Sequence, residues 1–139
     1  MKFVLDNSVI MRWFFGDGKP SELAYAAKVL DQLKTDDAIV PVTWALEVAN
    51  VIARAEAKKL VTEARSGAFL EMLEGVGIEV DSATSSHALS DTLQLSRRYT
   101  LSAYDASYLE LALRRGLALA TLDMDLLKAA KKAGVKKLG

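Results

Sequence analysis

Four carboxylates occupy positions where acids can do chemistry. Asp6 closes the apolar run "FVLD" and Asp123 closes "LALATLD", each just ahead of a helical pattern. Glu47 lies inside the apolar stripe of "TWALEVANVIARAEAKKL", beside Val48 and one turn from Trp44 and Val51. Asp105 stands near the start of "YTLSAYDASYLELALRRG", with Tyr108, Leu109 and Ala112 continuing its face. An acid in such a stripe faces the protein rather than bulk water, and burying it unpaired costs several kcal/mol. Brought together, two like charges about 4 Å apart repel by about 4 kcal/mol at an effective dielectric near 20. A divalent cation removes that cost. The chain has no cysteine and a single histidine, His87, so thiolate and multi-histidine sites are excluded and any metal must sit on oxygen. Mg²⁺ and Mn²⁺ suit such ligands, and carboxylate-held ions of this kind support phosphodiester cleavage.

Three of the four acids, all but Glu47, also have a plainer role. Asp6 and Asp123 stand where a helix N-cap stands, and Ser102 followed three places later by Asp105 fits a capping box. Asp125 either serves a second ion or simply favours a helix N-terminus, the second being the simpler reading. His87 reads as a helix-surface residue without a catalytic partner network. The cluster "IMRWFF", residues 10 to 15, reads as mostly core, yet it is apolar on too many sides for one helix stripe, which leaves part of it for a partner surface. Tyr104, beside Asp105, reads as packing, with base stacking as the alternative.

The elements that position these groups follow from periodicity. "KFVL", "AIVPV", "IEV", "LALAT" and "VKKL" read as five short buried strands. Between them lie the helical stretches "SVIMRWFF", "SELAYAAKVLDQLK" with Ser21 as its cap, "TWALEVANVIARAEAKKL", "TEARSGAFLEMLEG", "SSHALSDTLQLSRRY", the Asp105 segment ending at Gly116, and "MDLLKAAKKAG". Helices separate every pair of strands, so the strands need crossover connections, and the expected fold is a three-layer α/β domain with a parallel sheet. In such sheets ligands bind outside the carboxyl ends of the strands, which is also where the following helices begin. Asp6, Glu47, Asp105 and Asp123 therefore belong to one rim.

Composition sets the outer bounds. Residues 1–139 are of a length for one domain with a real core, and 51% of them are hydrophobic. No apolar run of about 18 residues suggests a membrane span and no N-terminal signal suggests secretion, so a cytoplasmic location is expected. Basic and acidic residues number 18 each, and a net charge of zero provides no global field for nucleic acid. The local basic runs, Lys128, Lys131, Lys132, Lys136 and Lys137 with the pairs Lys58/Lys59, Arg97/Arg98 and Arg114/Arg115, read as solvated helix faces and ends.

Four motifs in order, "FVLDNSV", "PVTWALEVANVI", "LSAYDASYLELA" and "LATLDMDLL", resemble the successive acidic motifs of PIN-domain ribonucleases, most closely the VapC-type toxins of prokaryotic toxin–antitoxin pairs. The likeness spans nearly the whole chain. It implies that Asp6, Glu47, Asp105 and Asp123 bind Mg²⁺ or Mn²⁺ and carry RNA hydrolysis, with Ser8 and Thr121 orienting a carboxylate or water and Asp125 in a supporting place. It also implies a sheet of about five parallel strands flanked by helices, a homodimer, and a cognate antitoxin that occupies the site.

Competing readings fit less well. A receiver domain wants an adjacent acid pair after the first strand, where "LDNS" has one acid, and a lysine after the last. A haloacid-dehalogenase-type phosphatase needs a second Asp two places after the first, where Ser8 stands. The Asp-x-Asp of Asp123 and Asp125 is shared with Toprim nucleases, whose partner Glu follows the first strand; here that residue is Asp6. A catalytically silent binding subunit would have no use for four mutually repelling acids.

Overall fold

A computed structural model describes all residues, 1–139. Four strands, β1 (Lys2–Leu5), β2 (Asp37–Val40), β3 (Ile78–Val80) and β4 (Leu119–Ala120), form one sheet in the order β3-β2-β1-β4, every pair parallel. The alternating pleat sends Phe3, Leu5, Ala38 and Val40 into one core and Val4, Ile39 and Leu119 into another on the opposite face. The first core is covered by α1 (Asn7–Phe15), α2 (Pro20–Gln32), α3 (Trp44–Ala57) and α4 (Glu63–Glu74); the second packs against α7 (Ala103–Arg115) and α8 (Met124–Ala133).

The expected fifth strand, "VKKL", is reduced to a single parallel bridge between Leu119 and Lys137. Its neighbour β4 is only two residues long, so the ladder has nothing to extend along. Val135 and Leu138 are nonetheless buried, which is what gave the segment its strand-like pattern. The second strand stops at Val40, because Pro41 has no N–H for the ladder. Ser21 does not cap α2. That helix starts two residues earlier than such a cap would allow, at Pro20, whose fixed φ suits a first helical position, and the Glu22 carboxylate accepts the N–H of the N-cap residue Lys19 at 2.9 Å. The stretch "SSHALSDTLQLSRRY" runs as α5 (Thr84–His87), a wide π-helical turn (Ala88–Thr92) and α6 (Leu93–Tyr99).

In "IMRWFF", Ile10, Met11 and Phe14 are buried, Trp13 and Phe15 pack half-buried against the first core, and Trp13 Nε1 donates to the Ala26 carbonyl at 2.7 Å. Most of the apolar surface of α1 is thus taken up by α2 and by Phe69 of α4, whose ring lies 4.6 Å from that of Phe14, while Trp13 and Phe15 keep part of their surface exposed. An uncovered apolar groove of about 320 Å³ lies elsewhere, between α3 and α4, where Trp44, Val48, Ile52, Leu70 and Leu73 line it.

Candidate active site

Asp6 follows β1, is 4% exposed, and occupies the N-cap position of α1 without capping it. Its carboxylate accepts instead from two hydroxyls, Ser8 Oγ at 2.6 Å and Thr121 Oγ1 at 2.8 Å. Thr121 comes from the segment just beyond β4 and is fully buried, so the two parallel strand ends are tied across the sheet edge. The same hydroxyls organise the next turn: Ser8 Oγ accepts the Leu122 N–H at 2.9 Å and Thr121 Oγ1 accepts the Asp123 N–H at 3.0 Å. Burial pushes the Asp6 carboxyl above its usual range, the Ser8 and Thr121 hydroxyls oppose this, and the Asp123 charge adds to the rise.

Asp123 does cap its helix, Oδ1 accepting the Leu126 N–H at 2.9 Å. Capping and a place on the rim are compatible here, since only one oxygen is used and the charge still reaches Asp6 and Asp105. Asp105 resolves differently. Ser102 Oγ accepts the Asp105 N–H at 3.1 Å and is the true N-cap of α7, while no hydrogen bond from a backbone N–H reaches the Asp105 carboxylate. The capping-box expectation thus holds for Ser102 alone. Burial, then the charges of Asp6 and Asp123, raise the Asp105 carboxyl to about 6.

Glu47, in the first turn of α3, accepts from the Tyr108 hydroxyl at 3.0 Å. Tyr108 is fully buried one turn after Asp105, so α7 supplies both an acid and the donor that orients another acid. Burial lifts Glu47 to about 7, the Tyr108 hydrogen bond opposes it, and the charges of Asp6 and Asp105 add to the lift. Tyr108 itself is pushed well above the ordinary tyrosine value, chiefly by burial. Its spacing from Asp105 marked it as part of an inward face; its role as a donor depended on which residue of α3 faced it. Asp125 is exposed in the first turn of α8, and its charge is felt by Asp105.

The four acids thus stand along one rim, where Asp6, Glu47 and Asp105 each feel the charge of at least one other. They do not form a closed cage: no group of three or more Asp, Glu or His side chains is placed to ligate one ion directly. Three of the carboxylates turn to a neutral donor rather than toward another acid: Asp6 to Ser8 and Thr121, Glu47 to Tyr108, and Asp123 to a helix N–H. By donor chemistry the residues fit a hard divalent cation, being oxygen ligands on a rim without a lysine or arginine partner. Mg²⁺ keeps several waters and commonly takes only one or two carboxylates, so an open rim is compatible with it.

Sequence reading passed over a second acid at the same edge. Asp81 directly follows β3 and is 4% exposed, and Arg114 of α7 grips it with two bonds of 3.2 and 2.6 Å while also holding buried Glu110. The placement rule that singled out Asp6 covers Asp81 equally, and Glu110 followed by Arg114 is a helical ion-pair spacing.

A family model described as the PIN domain matches residues 3–132. The chain belongs to the PIN domain family. This is in general a nuclease fold. Among solved structures, PAE2754 from Pyrobaculum aerophilum aligns at a TM-score of 0.65 and 20% identity, covering 99% of this chain and 83% of that one. FitAcB from Neisseria gonorrhoeae aligns at 0.57 and 17%, covering 100% of this chain and 97% of that one. At these identities the likeness speaks for the PIN fold. No curated protein matches the sequence significantly. No helix of this PIN domain is long and apolar enough to cross a membrane.

Proposed function

We propose that this PIN domain, taken as one nuclease domain over 1–139, is a Mg²⁺- or Mn²⁺-dependent endoribonuclease and the toxin of a VapC-like toxin–antitoxin pair acting in the cytoplasm. The observation that carries the reading is a rim of four acids, Asp6, Glu47, Asp105 and Asp123, where burial and mutual charge push three carboxyls upward and no cationic side chain neutralises any of them. Such a rim is unfavourable alone and favourable around a divalent cation. The four acids would hold it; bound there, the ion supplies water activation and charge neutralisation at a phosphodiester. Ser8 and Thr121 fix the Asp6 carboxylate, Tyr108 fixes Glu47, and the Ser102 cap fixes the turn that carries Asp105. Asp125 supports from the rim's edge through its charge.

The partners follow from the family resemblance and the same chemistry. RNA is the substrate, a homodimer the assembly, and a cognate antitoxin the inhibitor. An arginine of that antitoxin suits the rim, because a guanidinium pairs with carboxylates in a forked geometry and competes with metal.

A second reading, a catalytically silent PIN-like binding subunit, draws on the absence of a ready three-acid ligand group. One experiment separates the two. Single-stranded RNA is incubated with the purified chain in Mn²⁺, and with Asp6→Asn and Asp105→Asn variants. Cleavage by the wild type that falls at least about 100-fold in both variants, with cooperative melting retained, supports the nuclease. A wild type that leaves RNA intact favours the silent subunit. An Asp105 variant that cleaves normally removes that residue from the site.

A further inference from the structure

A neutral chain with an acidic rim has an electrostatic difficulty with a polyanion: the field at the site repels the substrate it is meant to cut. Cations gather a few residues away. A cleft of about 430 Å³ lies between the C-terminal end of α6 and the face of α8, lined by Arg98, Tyr99, Thr100, Asp125, Lys128 and Lys132 among others. Three of these are exposed cations and one is an acid. Lys2, Arg12, Lys34 and Arg114 each have a carboxylate partner within 4.0 Å, whereas Arg98, Lys128 and Lys132 have none. Arg98 only lies over its neighbour's ring, 5.6 Å from the Tyr99 centroid.

We propose that this cleft binds backbone phosphates of the RNA beside the scissile one, an inference that rests on the ribonuclease reading. Its position supports this. Asp125 lines the cleft and also acts electrostatically on Asp105, so cleft and rim adjoin. The helix that presents Lys128 and Lys132 is capped by Asp123 of the rim. At 1.5 Å per residue these lysines stand about 7.5 and 13.5 Å along the axis from Asp123, on one face at i and i+4. They reach phosphates flanking the reacting one and stay clear of the carboxylates. The third wall is held under strain: Thr100, a β-branched residue at φ 54°, ψ 48° in the left-handed region, turns the chain from Arg98 and Tyr99 into the start of α7. That turn sets the cleft and Asp105 in a common frame. The neighbouring cavity of about 550 Å³ shares Arg98 but adds no other free cation, because its Arg114 is held by Glu110 and its two acids, Asp91 and Glu110, face His87 and Arg114.

The test measures RNA binding separately from cleavage. Fluorescein-labelled single-stranded RNA is titrated in EDTA over a series of KCl concentrations, and the same preparations are assayed for cleavage in Mn²⁺. Neutralising Arg98, Lys128 and Lys132 to Ala is expected to raise Kd about tenfold or more and to flatten the slope of log K against log salt by about 2, at ~0.7 per lost phosphate contact. Lys128→Glu alone should act in the same direction, and Lys128→Arg should restore wild-type binding. A Lys58→Ala/Lys59→Ala control, which removes charge at the far end of α3, should leave Kd and slope unchanged. Wild-type Kd and slope in the triple variant overturn the proposal; if the wild type cleaves in that case, the ribonuclease reading survives it. Cleft-dependent binding without cleavage removes the ribonuclease and overturns the placement beside a scissile phosphate, leaving the cleft as an RNA-binding surface only. A wild type that binds no RNA overturns both.

Discussion

Asp6 and Asp81 are a matched pair with opposite fates. Each directly follows a strand of the same parallel sheet, at the same edge, and each is 4% exposed. Asp6 meets only hydroxyls, and burial leaves its carboxyl raised. Asp81 is pushed up by burial too, but the Arg114 fork and the Thr84 hydroxyl outweigh this and hold it below the ordinary carboxylate range. Arg114 in turn is raised, first by Glu110 and then by Asp81. Position and surface exposure are equal, but Asp6 lies deeper in the protein and meets no cation, whereas a guanidinium reaches Asp81, and both differences set the sign. Where the chain supplies its own cation the acid is structural, and where it supplies none the acid is left for a cation from outside. Both arrangements hang on α7, which carries Asp105 and Tyr108 for one and Glu110 and Arg114 for the other.

The largest test of that contrast is Arg114→Met. Removing the cation strands Asp81 and Glu110 in the protein, and unfolding stability should fall by about 3–5 kcal/mol in urea melts. Asp6→Asn in EDTA should cost nothing or stabilise. A small loss from the first together with a large loss from the second would invert the comparison.

Metal should separate the two regions next. Saturating Mn²⁺, at about 100 times its Kd, is expected to stabilise the wild type by about 2.7 kcal/mol, read as a rise in melting temperature. A variant with Asn at Asp6 and Asp123 should gain little. An equal rise in both would place the metal away from the rim.

A weaker effect comes from pH. Glu47 at about 7 and Asp105 at about 6 bind protons more tightly folded than unfolded, so in EDTA stability should increase as pH drops through these values toward the ordinary carboxylate range. Asp81 works the other way, its contribution being lost as pH falls through its lowered native value. Urea midpoints from about pH 8 to 5 should therefore rise in the wild type and stay flatter with Glu47→Gln and Asp105→Asn. A wild-type midpoint that falls over this range would mean that the rim acids are not raised.

The smallest change is Ser102→Ala, which removes the N-cap of the shared helix. It should cost about 1 kcal/mol and leave both acid clusters in place. A loss of several kcal/mol would show that the cap also holds the rim together.

What could be read from residues alone is what depends on neighbours in the chain. Strand and helix periods of about 2 and 3.6 residues are local, so the parallel α/β order was legible, as was the place of Asp6 and Asp123 at strand ends. Ser102 as a cap was legible for the same reason, since its partner is three residues on. The strand read at "VKKL" failed because burial and strand pairing leave the same apolar signature, and only the length of its partner β4 tells them apart.

The tertiary structure decided which acid meets which partner. Glu47 and Tyr108 are 61 residues apart, Asp6 and Thr121 115, Asp81 and Arg114 33. The sequence by itself determined that acids would stand along one edge of the sheet. Packing determined which of them would be neutralised, because a carboxylate's electrostatics depend on the nearest charge in space, and α7 brings a guanidinium to Asp81 but only a hydroxyl to Glu47.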